Sequence, residues 1–122
     1  ASYMLVAVLG ASPKKERYSN KAIHMLRSHG HRVIPVNPGQ REIEGLPVVA
    51  RLGDIQQPVD TLTVYVGPDH IGALIPEIVK LKPGRVIMNP GAESEELARA
   101  LAHAKIPYLE ACTLVLLSTG QF

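Results

Sequence analysis

The sequence predicts an α/β fold: a doubly wound, mainly parallel sheet of five strands with helices on both faces. Three observations carry that prediction. Apolar runs rich in Val, Ile and Leu recur along the 122 residues and end on Gly or Asn, and continuous rather than alternating hydrophobicity marks strands buried on both faces. Segments with helical spacing separate those runs, so successive strands run parallel through right-handed crossovers. The length and the 46% hydrophobic content suit a single domain over residues 1–122. Such a domain buries about two-thirds of its unfolded surface and needs neither disulfides nor a structural metal.

Residues 3–9 are continuously apolar and stop at Gly10, which predicts a central strand. Ser19 is expected to cap the first helix, with Ala22, Ile23 and Leu26 on its inner face and Tyr18 folded onto Ile23 ahead of the cap. Gly30 ends that helix in a left-handed conformation. Residues 32–37 read as the second strand, and Pro35, which removes a ladder donor, belongs near its end. From Pro38 to Gly53 the text is loop-like, apart from a short extended piece at Val48, Val49 and Ala50. Residues 61–66 form a strong strand, after which Gly67, Pro68 and Asp69 open a helix. Pro76 shortens or kinks it within the apolar series Ile71, Leu74, Ile75, Ile78 and Val79. Residues 85–88 are the next strand, Asn89, Pro90 and Gly91 its exit turn, and Ser94 the cap of a helix carrying Leu97, Leu101 and Ala104. Residues 106–109 form a short last strand, and the tail from Cys112 to Leu117 is apolar enough to pack.

Composition excludes several classes of function. Thirteen Lys and Arg against eleven Asp and Glu leave a net charge of +2, too small an excess for a surface dedicated to nucleic acid. Four Tyr, one Phe and no Trp offer no stacking platform for single strands. The single cysteine, Cys112, forms no internal disulfide. The opening residues lack a leader pattern, and no apolar run approaches the ~20 residues that span a bilayer. A cytoplasmic protein without membrane contact is the expectation. The five histidines show no metal spacing, so no metal site is predicted. The charge is polarised: residues 1–51 hold eight basic side chains against three acids, and residues 52–122 five against eight. The basic half suits an anionic partner, with a solvated basic face as the alternative.

In a doubly wound sheet, ligands bind outside the carboxyl ends of the strands where strand order reverses. Four loops occupy those positions. The first contains Gly10, Ala11, Ser12, Lys14, Lys15 and Arg17: a glycine for a sharp exit, amides and a hydroxyl that can face a phosphate, and three cations within four positions. It lacks the later glycines of G-x-G-x-x-G and is no P-loop; a tight turn with solvated lysines is the plainer alternative. The second loop, at Pro35, Val36 and Asn37, is neutral where an NAD site carries an acid for the ribose hydroxyls. With the nearby cations, that neutrality suits a ribose bearing an extra phosphate, as in coenzyme A or NADP. The third, Val66, Gly67 and Pro68, offers a backbone corner where an adenine or a pantetheine arm can lie. His70 follows it within reach of a ligand, or as a surface histidine early in a helix. The fourth, Asn89, Pro90 and Gly91, sets an amide side chain against a Pro-Gly turn. Turn chemistry alone also accounts for the last two loops.

The stretches Val8 to Ser12, Gly30 to Pro38, Glu42 to Gly45, Val59 with Asp60, and Asn89 to Ala92 resemble the coenzyme A-binding domain family, the small Rossmann-like module that also forms the nucleotide-binding part of succinyl-CoA synthetase α-subunits. The likeness extends over about the first 112 residues. It implies that Gly10, Ala11, Ser12 and Arg17 cradle the phosphates, that Pro35, Val36 and Asn37 flank the adenosine end, and that Val66, Gly67 and Pro68 contact the cofactor across the switch point. Ligase activity is not implied, because the synthetases use a second domain with a phosphorylatable histidine. Many stand-alone members also carry Gln near the position of Asn89.

No catalytic constellation is legible: Ser12 lacks the nucleophile-elbow pattern G-x-S-x-G, and Cys112 has no partners that sequence can assign. The expected function is therefore binding of coenzyme A, or an acyl derivative, by a non-catalytic module acting as carrier, sensor or partner subunit, alone or as a homodimer. The alternatives are a minimal NADP-binding oxidoreductase and an interaction protein with a vestigial nucleotide site. A mixed disulfide between Cys112 and the coenzyme thiol requires the tail to fold over the site.

Overall fold

The computed structural model describes residues 3–122. Its elements, in chain order, are β1 (Leu5–Leu9), α1 (Tyr18–Ser28), β2 (Arg32–Val36), β3 (Glu42–Ile43), β4 (Leu46–Pro47), β5 (Thr61–Val64), α2 (Pro68–Ile71), α3 (Ile75–Leu81), β6 (Arg85–Met88), α4 (Glu95–His103), β7 (Tyr108–Glu110) and α5 (Thr113–Ser118). Five strands form one sheet in the order β2-β1-β5-β6-β7, and every pairing in it is parallel. After β2 the chain crosses back over β1 to lay down β5, so strand order reverses between β1 and β5.

The central strand explains both layers. Val6, Ala7 and Val8 are all fully buried, and their alternation divides them between two cores. Ala7 and Leu9 join Leu62, Val64, Val86 and Met88 under α3 and α4, which contribute Ile78, Leu97 and Leu101. Val6 and Val8 face the other way, toward Ile23 and Leu26 of α1 and Leu117 of α5. A strand covered on both sides has no polar face, hence its uninterrupted apolar text.

The tail packs as expected, through buried Thr113 and Leu117. Ser94 caps α4 by accepting the Leu97 amide at 3.1 Å. Gly30, at φ +87, lets the His31 amide return to the Leu26 carbonyl at 3.1 Å, a left-handed helix stop. Pro76 lies in the first turn of α3, separated from α2 by a 3-10 turn over Gly72–Leu74, so the predicted break is real. Pro35 is the penultimate residue of β2. Val49 forms a parallel bridge to Val36, the extended piece expected there, and covers part of that edge.

Other expectations need correction. The first helix begins two residues early: Arg17 holds the cap position without a side-chain bond, and Ser19 is buried inside the first turn. The Arg17 amide already turns back to the Lys14 carbonyl at 3.1 Å, which starts the helix and swings Tyr18 outward. Tyr18 is 68% exposed and does not fold onto Ile23. The loop between Pro38 and Gly53 contains the antiparallel β3–β4 hairpin. Its two turn residues, Glu44 at φ 53 and Gly45 at φ 76, are both left-handed, as a two-residue hairpin requires. Two-residue strands carry no readable alternation, and Glu is a rare left-handed residue, so this hairpin left no trace in the sequence pattern. The strand expected over 61–66 ends at Val64, and the last strand runs over 108–110 rather than 106–109, because Ile106 leaves the edge to bury itself in the core.

Candidate functional site at the carboxyl edge of the sheet

The first and third loops meet at the switch point. Gly10 leaves β1 at φ +86, and a Cβ there would stand 3.1 Å from Val66 Cγ2 and 3.3 Å from the Tyr65 carbonyl carbon. Any other residue meets both a left-handed backbone and a crowded neighbour. The Gly10 and Ala11 amides both donate to the Val36 carbonyl, at 3.3 and 3.2 Å. Asn37 completes the splice between the first two loops: its Nδ2 donates to the Ala11 carbonyl at 2.7 Å, and its Oδ1 accepts the Gly39 amide at 2.7 Å. The amides of Gly10 and Ala11 are thus committed within the protein. Ser12 Oγ accepts the Lys14 amide at 3.1 Å, which shapes the loop. The Ser12, Lys15 and Glu16 amides have no backbone partner among the described residues. Together with the amino end of α1 they form the anion-suited part of the loop.

Lys14, Lys15 and Arg17 are all exposed. Lys15 lines a groove of about 470 Å³ along α1, shared with Lys21 and His24. A bracket holds this region. Asn20, 1% exposed, donates through Nδ2 to both the Ser12 carbonyl and Glu44 Oε2, each at 2.9 Å. Glu44 Oε1 lies 2.9 Å from His24 Nε2. The hairpin tip is thereby tied to the loop that follows β1. The Asn20 hydrogen bond holds the Glu44 carboxyl below its ordinary range, helped by Lys15 and His24 and opposed by partial burial.

The third and fourth loops adjoin, since a Cβ on Gly67 would lie 3.7 Å from the Gly91 carbonyl oxygen. Pro68, His70, Pro90 and Gly91 are exposed at this edge, and Val66 and Gly67 half-buried. Pro35 is buried within β2, opposite Val8, beneath the rim rather than on it. Asn89 is fully engaged: Nδ2 donates to Thr63 Oγ1 at 2.7 Å and the Val64 carbonyl at 2.9 Å, and Oδ1 accepts the Thr113 amide at 2.8 Å. Its side chain ties β5, β6 and α5 together, with both Nδ2 hydrogens and one acceptor site of Oδ1 in use.

Two cavities flank the switch point. One, of about 320 Å³, is lined by Leu9, Gly10, Val36, Asn37, Pro38, Ala50, Arg51, Leu52, Val66, Leu74 and Glu77. The other, of about 210 Å³, lies among Tyr18, Tyr65, Asn89, Pro90 and Cys112, so the tail does bring Cys112 to the site. Burial pushes the Tyr65 phenol up to about 12, against the pull of the Thr63 and Thr113 hydroxyls beside it; those hydroxyls bond each other at 2.8 Å and leave Tyr65 without a hydrogen bond. Arg51, Leu74, Glu77, Tyr18 and Tyr65 reach the edge from helices and loops that sequence spacing did not link to it. Among the described residues no three His, Cys, Asp or Glu side chains gather as a metal would require, and no helix is long and apolar enough to cross a membrane.

A five-stranded parallel sheet with helices on both faces and a glycine exit from its central strand defines the class: a Rossmann-like α/β module. Residues 5–118 match the CoA binding domain family, and the chain belongs to it. It is similar to the uncharacterized protein YneT of Bacillus subtilis, with 26% identity over 96 residues covering 79% of this chain and 71% of that one. Among solved structures, one described only as an uncharacterized protein matches at 39% identity and a TM-score of 0.93 over the whole of both chains. The cell-free ID.343 protein of Thermus thermophilus matches at 36% identity and a TM-score of 0.89, covering 98% of this chain and 91% of its own. The fold alone is shared with the dinucleotide-forming acetyl-coenzyme A synthetase 1 of Ca. Korarchaeum cryptofilum, at 23% identity and a TM-score of 0.77 over 88% of this chain and 25% of that one.

Proposed function

We propose that this protein binds coenzyme A or a small acyl derivative and acts, without catalysing a reaction, as a carrier, sensor or partner subunit in a reducing cytoplasm. The observation that carries the reading is the pair of cavities on either side of the Gly10 loop. Coenzyme A has a flat heterocycle at one end, anionic phosphates in the middle and a narrow pantetheine arm at the other. The apolar cavity beside Val36 and Asn37 suits the heterocycle. The free amides and cations between Ser12 and Arg17 suit the phosphates, and the cavity between Tyr18 and Cys112 suits the arm. Gly67, Pro68, Pro90 and Gly91 form the floor over which that arm passes, with His70 at its margin. Among the site residues named from sequence, Asn37 and Asn89 shape the loops through their own hydrogen bonds and also line the two cavities.

Calorimetry with coenzyme A, acetyl-coenzyme A, NAD, NADP and ATP at two salt concentrations tests the proposal. Coenzyme A or its acetyl ester should bind tightest, with affinity falling as salt rises because phosphate contacts are screened. Preferential binding of NADP, or indifference to all five, overturns it.

A further inference from the structure

Three carbonyls of the loop after β1 accept hydrogen bonds from within the protein. That of Ala11 accepts from Asn37 Nδ2 at 2.7 Å, that of Ser12 from Asn20 Nδ2 at 2.9 Å, and that of Lys14 from the Arg17 amide at 3.1 Å. No peptide bond among the described residues is cis, and in a trans peptide the N–H points opposite to the carbonyl of its own plane. The Ser12 amide therefore faces away from Asn37, and the Lys15 amide away from that of Arg17. The Ser12 carbonyl differs from the other two, because its donor is gripped from outside the loop. Asn20 Nδ2 also donates to Glu44 Oε2 at 2.9 Å, across 24 positions of sequence. Asn20 Oδ1 is buried without a partner, so these two acceptors alone fix the amide plane. Glu44 stands at the hairpin tip with φ 53, a left-handed conformation that Gly and Asn adopt readily and Glu rarely does. His24 Nε2, 2.9 Å from Oε1, and Arg27 Nη1, 3.1 Å from the Glu44 carbonyl, hold it there. Backbone strain of this kind clusters where function requires the residue.

We infer that Glu44 is a positioning residue for the anion-suited loop: acting through Asn20, its carboxylate fixes the Ser12 carbonyl and so holds the loop in the shape that presents its unpartnered amides to phosphate. This role rests on the coenzyme A reading and adds to it a residue that touches no ligand. Replacing Glu44 with glycine sets three effects against one another. Relief of the left-handed backbone favours the hairpin. Removal of a negative charge near Lys15 favours any anion. Release of Asn20 disfavours binding, and the positioning role requires this last effect to win.

The test is calorimetry of coenzyme A with the wild type, E44G, E44Q, N20A and the N20A/E44G double variant. E44G should bind about tenfold more weakly, the equivalent of one charge-assisted hydrogen bond. E44Q removes the same charge but keeps an oxygen that can accept from Asn20, so it should recover most of the affinity. Because Glu44 acts through Asn20, the double variant should bind no more weakly than N20A alone. If N20A does not fold, hydrogen exchange replaces that arm: the Lys15 and Glu16 amides should exchange faster in E44G while those of β5 and β6 keep their wild-type rates. A wild type that binds no coenzyme A refutes the binding proposal and this inference together. With the wild type binding, an E44G protein of equal or higher affinity, an E44Q protein as weak as E44G, additive losses in the double variant, or unchanged exchange at Lys15 and Glu16 refutes the inference alone.

Discussion

The amide of Thr113 donates to Oδ1 of Asn89 at 2.8 Å across 24 positions of sequence, and this bond docks α5 against the carboxyl end of β6. Asn89 is 1% exposed and Thr113 fully buried, so each group would be orphaned without the other. N89A should cost about 3 kcal/mol, since it strands the Thr113 amide and removes two further bonds at cost of about 1–3 kcal/mol per buried group. Urea denaturation checks this; a loss below about 1 kcal/mol at unchanged slope would show that water replaces the side chain.

Gly10 offers a sharper probe of the switch point. G10A should destabilise the fold by about 1–2 kcal/mol through its left-handed backbone alone. It should also weaken coenzyme A binding by more than that loss explains, because the new methyl pushes Val66 and Tyr65 into the space between the cavities. Wild-type affinity in a folded G10A protein would count against the site.

The raised Tyr65 phenol makes an alkaline prediction. Its folded pKa of about 12 exceeds the usual value near 10, so the folded state holds the proton more tightly. The contribution is complete below about pH 10 and lost as pH rises toward 12. The stability difference between wild type and Y65F should therefore change by up to about 2 kcal/mol between pH 9 and pH 11.5. A pH-independent difference would mean the phenol is wetter than its position implies.

Glu44 titrates in the opposite sense. With its folded carboxyl held below the ordinary 4.5, chiefly by Asn20, its contribution is present above pH 4.5 and disappears as pH falls through the folded value. E44Q should accordingly lower the urea midpoint at pH 7 more than at pH 3.5. It should also speed amide exchange in the β3–β4 hairpin and at Ser12. Equal effects at both pH values would show that the carboxylate charge plays no part in the bracket.

The parallel sheet, its order of elements and the glycine exits were legible because they rest on local rules: apolar continuity, helix stops and proline placement act within a few residues. Ser94 was read correctly as a cap, since capping is decided within one turn. Ser19 was not, because the turn from Lys14 to Arg17 depends on how the whole loop settles against β2. The first loop also illustrates the divide. Its composition marked it for phosphate, yet only the fold shows that the Gly10 and Ala11 amides go to Val36 while those of Ser12, Lys15 and Glu16 remain.

By itself the sequence determined the fold class and the family. Tertiary structure alone decided which residues line the cavities at the carboxyl edge of the sheet. Arg51 and Glu77 line one cavity, and Tyr18 and Cys112 another, although they lie 26 and 94 positions apart. No pattern of spacing encodes such meetings. They follow from the way β1 and β5 pair and the helices pack around them, and side chains brought together by packing leave no period in the chain that carries them.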